Sequence, residues 1–120
     1  MTEKTYEMKK ILIKGKEYIP VNERIKFFKF KYQDGSITTE ITHFENNMCI
    51  IKASVSVSGK IVSTGHASEI EGSTYINKTS FIENCETSAV GRALGIFGIG
   101  IDTSIASANE IKNADSNTNK

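Results

Sequence analysis

The 120-residue chain contains no tryptophan, one proline and two cysteines. It has no apolar run of about 18 residues, so no stretch reads as a membrane-spanning helix. Met1 to Lys16 is polar and charged. No apolar segment followed by a small-residue cleavage site occurs there, so the expectation is no secretory signal and a protein of the cytoplasm. Cys49 and Cys85 lie far apart and each has apolar neighbours. Their number alone allows a disulfide. In a reducing cytosol they read as two buried small hydrophobes. With no CxxC pair, and with His43 and His66 lacking ligand-type neighbours at metal spacing, a zinc site is not expected. Walker, GxGxxG, GxSxG and HExxH patterns are all missing. The glycine-rich stretch Gly91 to Gly100 has no GK[ST] ending and follows a helical segment, so it does not read as a phosphate loop. Glu83 and Glu86 are three apart on one helix face, and read as a capping and a surface carboxylate rather than an acid/base pair. The expectation is a non-catalytic protein with no cofactor.

What remains is a chain of 38% hydrophobic and 24% charged residues, a globular balance in a length that suits one domain. Its net charge of +1 conceals a gradient. Residues 1–31 hold nine Lys/Arg against four Asp/Glu, and residues 32–120 hold six against ten. A basic segment beside an acidic remainder can form a polyanion-binding face, although a solvated basic helix has the same composition.

Along the chain, residues 1–10 read as loose. Ile11 to Ile19 alternates like an edge strand interrupted by Gly15. Pro20 suits a helix start. Val21, Ile25, Phe28 and Tyr32 then recur at helical spacing as one apolar stripe, with Arg24, Lys26, Lys29 and Lys31 on the flanks and back. Asp34-Gly35 reads as a left-handed exit. Three strand-like runs follow. Ser36 to Phe44 places Ile37, Thr39 and Ile41 on one face, and Asn46-Asn47 supplies a turn. Met48 to Val57 places Ile51, Ala53, Val55 and Val57 opposite Lys52, Ser54 and Ser56. After a hairpin at Ser58-Gly59-Lys60 comes Ile61 to Ile70. A meander with one polar face needs cover on its apolar face. The cover is a helix opening at Ser80, with Glu83 at capping-box spacing, and running through Ile82, Cys85, Ala89 and Ala93. Gly91 and Gly95 within it suggest a close backbone approach. Gly98 and Gly100 end it. A last short helix over Thr103 to Lys112 and a polar tail, residues 113–120, complete a single α+β domain spanning residues 1–112.

Non-specific binders of single strands combine a basic groove with aromatic rings for the bases. The segment Ser73 to Thr79 offers Tyr75, Asn77, Lys78 and three hydroxyls ahead of a helix, although an ordinary polar loop has the same make-up. The block Ile76 to Gly95, and the opening Tyr18-Ile19-Pro20-Val21-Asn22-Glu23-Arg24, resemble small single-stranded-DNA-binding or recombination proteins of Gram-positive phages, over roughly residues 8 to 112. The run Arg92-Ala93-Leu94-Gly95-Ile96-Phe97-Gly98 is also similar, more distantly, to the Rad52 family of annealing proteins. There a helix, a three-stranded meander and a long helix follow in order, and basic residues on the last helix line the DNA groove. Gly91 stands where that family would place a second basic residue, and the chain is far shorter.

The resemblance implies an α+β fold with a Rad52-like core, the alternative being an OB-fold variant. It implies non-specific binding of single-stranded DNA in recombination or replication. The expected partners are single-stranded DNA, further copies of the chain in a homo-oligomer, and recombination proteins, with no membrane. The alternative is a module that binds a host or phage replication or defence protein. The candidate DNA contacts are Lys52, Lys60, Lys78 and Arg92, with Lys26, Lys29 and Lys31 as a second strip and Tyr75 for stacking.

Overall fold

The computed structural model describes residues 6–100. Two short strands, β1 (Ile11–Ile13) and β2 (Lys16–Tyr18), pair only with each other as a hairpin. Helix α1 (Val21–Lys31) follows. A three-stranded antiparallel sheet in sequential order comes next: β3 (Gly35–Glu45), β4 (Met48–Val57) and β5 (Lys60–Ile70). A single 3-10 turn (Ile76–Lys78) leads into α2 (Phe81–Phe97). This is the expected α+β order of helix, meander and helix. The described strands do not close into the alternative barrel, because the β1–β2 pair joins no other strand.

All three hairpins turn on two residues with positive φ: Lys14-Gly15, Asn46-Asn47 and Ser58-Gly59. Such turns match the right-handed twist of the strands they join. Gly15 therefore marks a hairpin rather than an interruption in one strand. The expected left-handed exit at Gly35 does not form. Helix α1 is capped at Tyr32, and Gly35 opens β3 beside the Phe28 ring, where a Cβ would lie 2.5 Å from a ring carbon. Residues 6–10 have no regular structure, yet they are not loose. The Lys9 amide donates to Glu23 at 3.0 Å and Met8 packs on the core.

The core lies between the sheet and α2. Strict alternation on β4 sends Cys49, Ile51, Ala53 and Val55 to the helix side, where all four are buried. Their β5 neighbours on that side include Ala67, Gly65 and Ser63. Helix α2 meets them with Cys85, Ala89 and Ala93, a stripe of small side chains. A Cβ built on Gly65 would fall 2.5 Å from the Ala93 backbone nitrogen, so helix and strand touch backbone to backbone. Ser63 Oγ closes the contact by donating to the Ala93 carbonyl at 2.7 Å. Helix α1 packs at the side through Val21 and Phe28. The Phe28, Tyr32 and Phe97 rings gather at its C-terminal end, with centroids 5.3–6.2 Å apart.

The two cysteines are buried free thiols, with Cys85 Sγ donating to the Ala67 and Cys49 carbonyls at 3.3 and 3.5 Å. Burial, reinforced by neighbouring Cys49, pushes the Cys85 thiol up to about 12. The expected capping box is absent. Ser80 is the N-cap residue, but its side chain bonds no backbone amide. Its own N–H, which Glu83 would accept, is already taken by the Ile76 carbonyl at 2.9 Å. The expected helix over 103–112 and the tail over 113–120 lie outside the described residues.

Candidate functional site

The sheet has two unlike faces. Opposite α2, β4 presents Ile50, Lys52, Ser54 and Ser56, and no described helix covers this side. Its cross-strand neighbours extend the polar surface. Lys52 pairs with Glu40 on β3 and His66 on β5, Ser54 with Thr38 and Thr64, and Ile50 with His43 and Ser68. Lys52 thus sits at the centre of a hydroxyl-rich surface, within reach of one carboxylate and one imidazole. Lys60 opens β5 just beyond the Ser58-Gly59 turn and is exposed.

At the other end of the sheet, the loop from β5 to α2 is organised by Asn77. This side chain is fully buried and bonds in three directions. Its Nδ2 donates to Glu69 Oε2 at 2.8 Å and to Ser73 Oγ at 2.9 Å, and its Oδ1 accepts from Asn84 Nδ2 at 3.1 Å. The Asn77 carbonyl also accepts the Gly72 amide at 2.8 Å. Asn77 is therefore a structural hub rather than a ligand contact, and its neighbours point out. Lys78 is exposed, and Tyr75 is 87% exposed, so its ring is free of the core. A ring so far out of the core adds little to the fold.

The third group lies on α1. Lys26 Nζ approaches Glu23 Oε2 at 3.3 Å, Lys29 Nζ donates to the Gly35 carbonyl at 3.1 Å, and Lys31 Nζ stands 5.8 Å from the Phe27 ring centre. All three lysines are exposed. Glu23 is itself buried. The Lys9 backbone N–H, helped by Lys26 and Tyr6, holds its carboxyl below the ordinary value although burial opposes this.

The eight candidate residues do not line one groove. Lys52 faces away from α2, whereas Arg92 is half-buried on α2 itself, over the other side of the sheet. Tyr75 and Lys78 come together at the start of α2. Lys26, Lys29 and Lys31 share α1. Lys52 and Lys60 belong to the open face and its margin.

Arg24 departs from its expected place on the flank of α1. It is fully buried, donating Nε to the Ile19 carbonyl at 3.1 Å and Nη1 to the Gly91 carbonyl at 3.4 Å, with Tyr18 under its guanidinium. Its spacing from Val21 and Phe28, three and four residues, already put it on the buried stripe. One exposed aromatic on α1, Phe30, lies outside the candidates that the sequence offers. The signal for it was its place between Lys29 and Lys31, two residues beyond the core-facing Phe28.

No curated protein and no solved structure matches the chain. One family model does match, over residues 25–97, from within α1 to the last residue of α2. That span covers more than half of the sequence and contains the whole meander. The chain belongs to the family described as Slr1353 N-terminal dsRNA-binding domain-like.

Proposed function

We propose that this protein is a non-catalytic nucleic-acid-binding domain that holds single-stranded DNA without sequence preference and serves phage recombination or replication as a homo-oligomer. The family description supports the nucleic-acid part. The observation that carries the finer reading is Tyr75, 87% exposed on a loop fixed by the buried Asn77, with Lys78 three residues on. A ring held outside the fold can stack on an unpaired base and has no comparable partner in a closed duplex. Lys52 and Lys60, among the hydroxyls of the open face, are the further phosphate contacts. A domain of this size spans few nucleotides, so several copies would act together, alongside recombination proteins.

Duplex RNA is the second reading, favoured by the family description. Domains that read duplex RNA recognise its shape through 2′-hydroxyl and phosphate contacts, and need no stacked base.

A gel shift at two salt concentrations separates these readings. It compares single-stranded DNA, duplex DNA and duplex RNA. Preference for the single strand, with affinity falling by a slope of about −0.7 per phosphate contact, is expected. Preference for duplex RNA would transfer the assignment to the second reading. No binding to any of the three would leave a protein-interaction module as the better account.

A further inference from the structure

We propose that the outer face of α1 is a contact for single-stranded DNA, in which a base stacks on Phe30 while Lys26, Lys29 and Lys31 hold the adjacent phosphates. The inference rests on the single-strand reading above and adds a surface to it.

The argument starts from what the fold leaves unused. Helix α1 packs through Val21, Arg24 and Phe28, all buried. At about 100° per residue, Phe30 lies far round the helix from Phe28. It is 38% exposed, and nothing in the core requires a large apolar ring there. The order around this side of the helix is Lys26, Phe30, Phe27, Lys31, which fills about 140° of arc. Two rings therefore stand between two cations, and Lys29 lies on the other side of Lys26. Tyr6 supports the rings from outside the helix, its centroid 5.8 Å from Phe30 and 6.5 Å from Phe27. Glu23, the carboxylate bonded to Lys26, is buried and also accepts from the Lys9 amide and Tyr6. Lys26, Lys29 and Lys31 are all exposed. An ammonium has three donors. The single bond from Lys29 to the Gly35 carbonyl therefore leaves it able to meet a phosphate as well.

A basic helix with exposed rings can also lie on an anionic membrane. That role needs a broad apolar face. The apolar stripe of α1 is committed to the core, which leaves Phe30 and part of Phe27 outside. One or two rings between cations suit a base and its phosphates better.

The chain has no tryptophan, so Phe30→Trp places a single tryptophan, excited selectively over the four tyrosines, in the proposed contact. The full-length variant is titrated with oligo(dT), and separately with vesicles of anionic phospholipid. Oligo(dT) should quench the emission as the base stacks. Phe30→Ala should weaken oligo(dT) binding roughly 5- to 150-fold, the range that loss of one base–aromatic stack gives. Its thermal midpoint, measured alongside, should hold. If the unmodified protein binds oligo(dT) while Phe30→Trp stays unquenched and Phe30→Ala binds equally well, the α1 contact is wrong and the single-strand reading survives. If the unmodified protein does not bind oligo(dT), both fall together. A blue-shifted, brighter emission with vesicles and none of the response to oligo(dT) would overturn the contact in favour of a membrane surface.

Discussion

The guanidinium of Arg24 on α1 donates to the carbonyl of Gly91 on α2, 67 residues along the chain. A Cβ on Gly91 would lie 2.8 Å from Val21 Cγ2, so the bond forms where the two helices are in tight contact. The same side chain reaches back to the Ile19 carbonyl just ahead of α1. One residue thus joins the β1–β2 hairpin exit, α1 and α2.

Arg24→Met should lower stability by about 2–5 kcal/mol, because it leaves at least two carbonyls unpaired in a dry site. Arg24→Lys should not restore it, since a single ammonium cannot reproduce the fork. Chemical denaturation of both variants checks this. A Met variant as stable as the parent would show that the carbonyls find other donors.

Gly65→Ala is expected to cost about 1–3 kcal/mol or prevent folding, because the methyl group would enter the α2 backbone at Ala93. Ser54→Ala, one register step away on the open face, should be nearly neutral. The thermal midpoints of the two variants should differ accordingly. Equal midpoints would mean that α2 can lift from the sheet at little cost.

Glu23 gives the fold a dependence on acid. Its carboxyl titrates below the ordinary value of 4.5 in the folded protein, chiefly because the Lys9 amide donates to the charged form. The stabilisation is therefore fully present above the unfolded value and is lost as pH falls through the lower folded one. Comparison of the parent with Glu23→Gln across this range should show the gap in midpoint closing as pH drops. A constant gap would assign the effect to packing instead.

Tyr75→Ala should weaken single-strand binding by about 1–3 kcal/mol and leave the midpoint unchanged. Arg92→Glu, measured beside it, asks a different question. Lost affinity at constant midpoint would support a DNA contact on α2, whereas a lowered midpoint would give Arg92 to the fold. An unchanged dissociation constant for Tyr75→Ala removes the ring from the site.

Much of this architecture was legible because its signals are periodic. The two-residue alternation of Ile51, Ala53 and Val55 against Lys52, Ser54 and Ser56 fixed both faces of β4, and the Cys85, Ala89, Ala93 spacing identified the buried side of α2. Gly98 ends that helix, as expected, and does so in the left-handed conformation. Features carried by single residues were harder to read. The strands β1 and β2 have three residues each, so the alternation from Ile11 to Ile19 reads as one strand across the Lys14-Gly15 turn that separates them. Arg24 was misplaced because a charged residue on an apolar stripe reads as a flank unless its carbonyl partners are known, and Gly91 is distant in sequence. Ser80 and Glu83 had the spacing of a capping box, but the 3-10 turn ahead of them supplied the Ile76 carbonyl first. The candidate lysines could be named from sequence. Their division among three surfaces could not, because it depends on how α1 and the β5–α2 loop are placed around the sheet.

The backbone contact between α2 and Gly65 leaves the two faces of the sheet with very different freedom. Inward, the helix rests on small side chains with no cushion of long ones, so an added methyl cannot be absorbed by a rotamer change. Outward, Lys52, Ser54, Ser56 and their neighbours on β3 and β5 answer to no packing partner among the described residues. Their chemistry can change without disturbing the scaffold. A laboratory seeking a variant with altered ligand preference could randomise that outer lattice as a block, with α2 acting as the stiff backing plate.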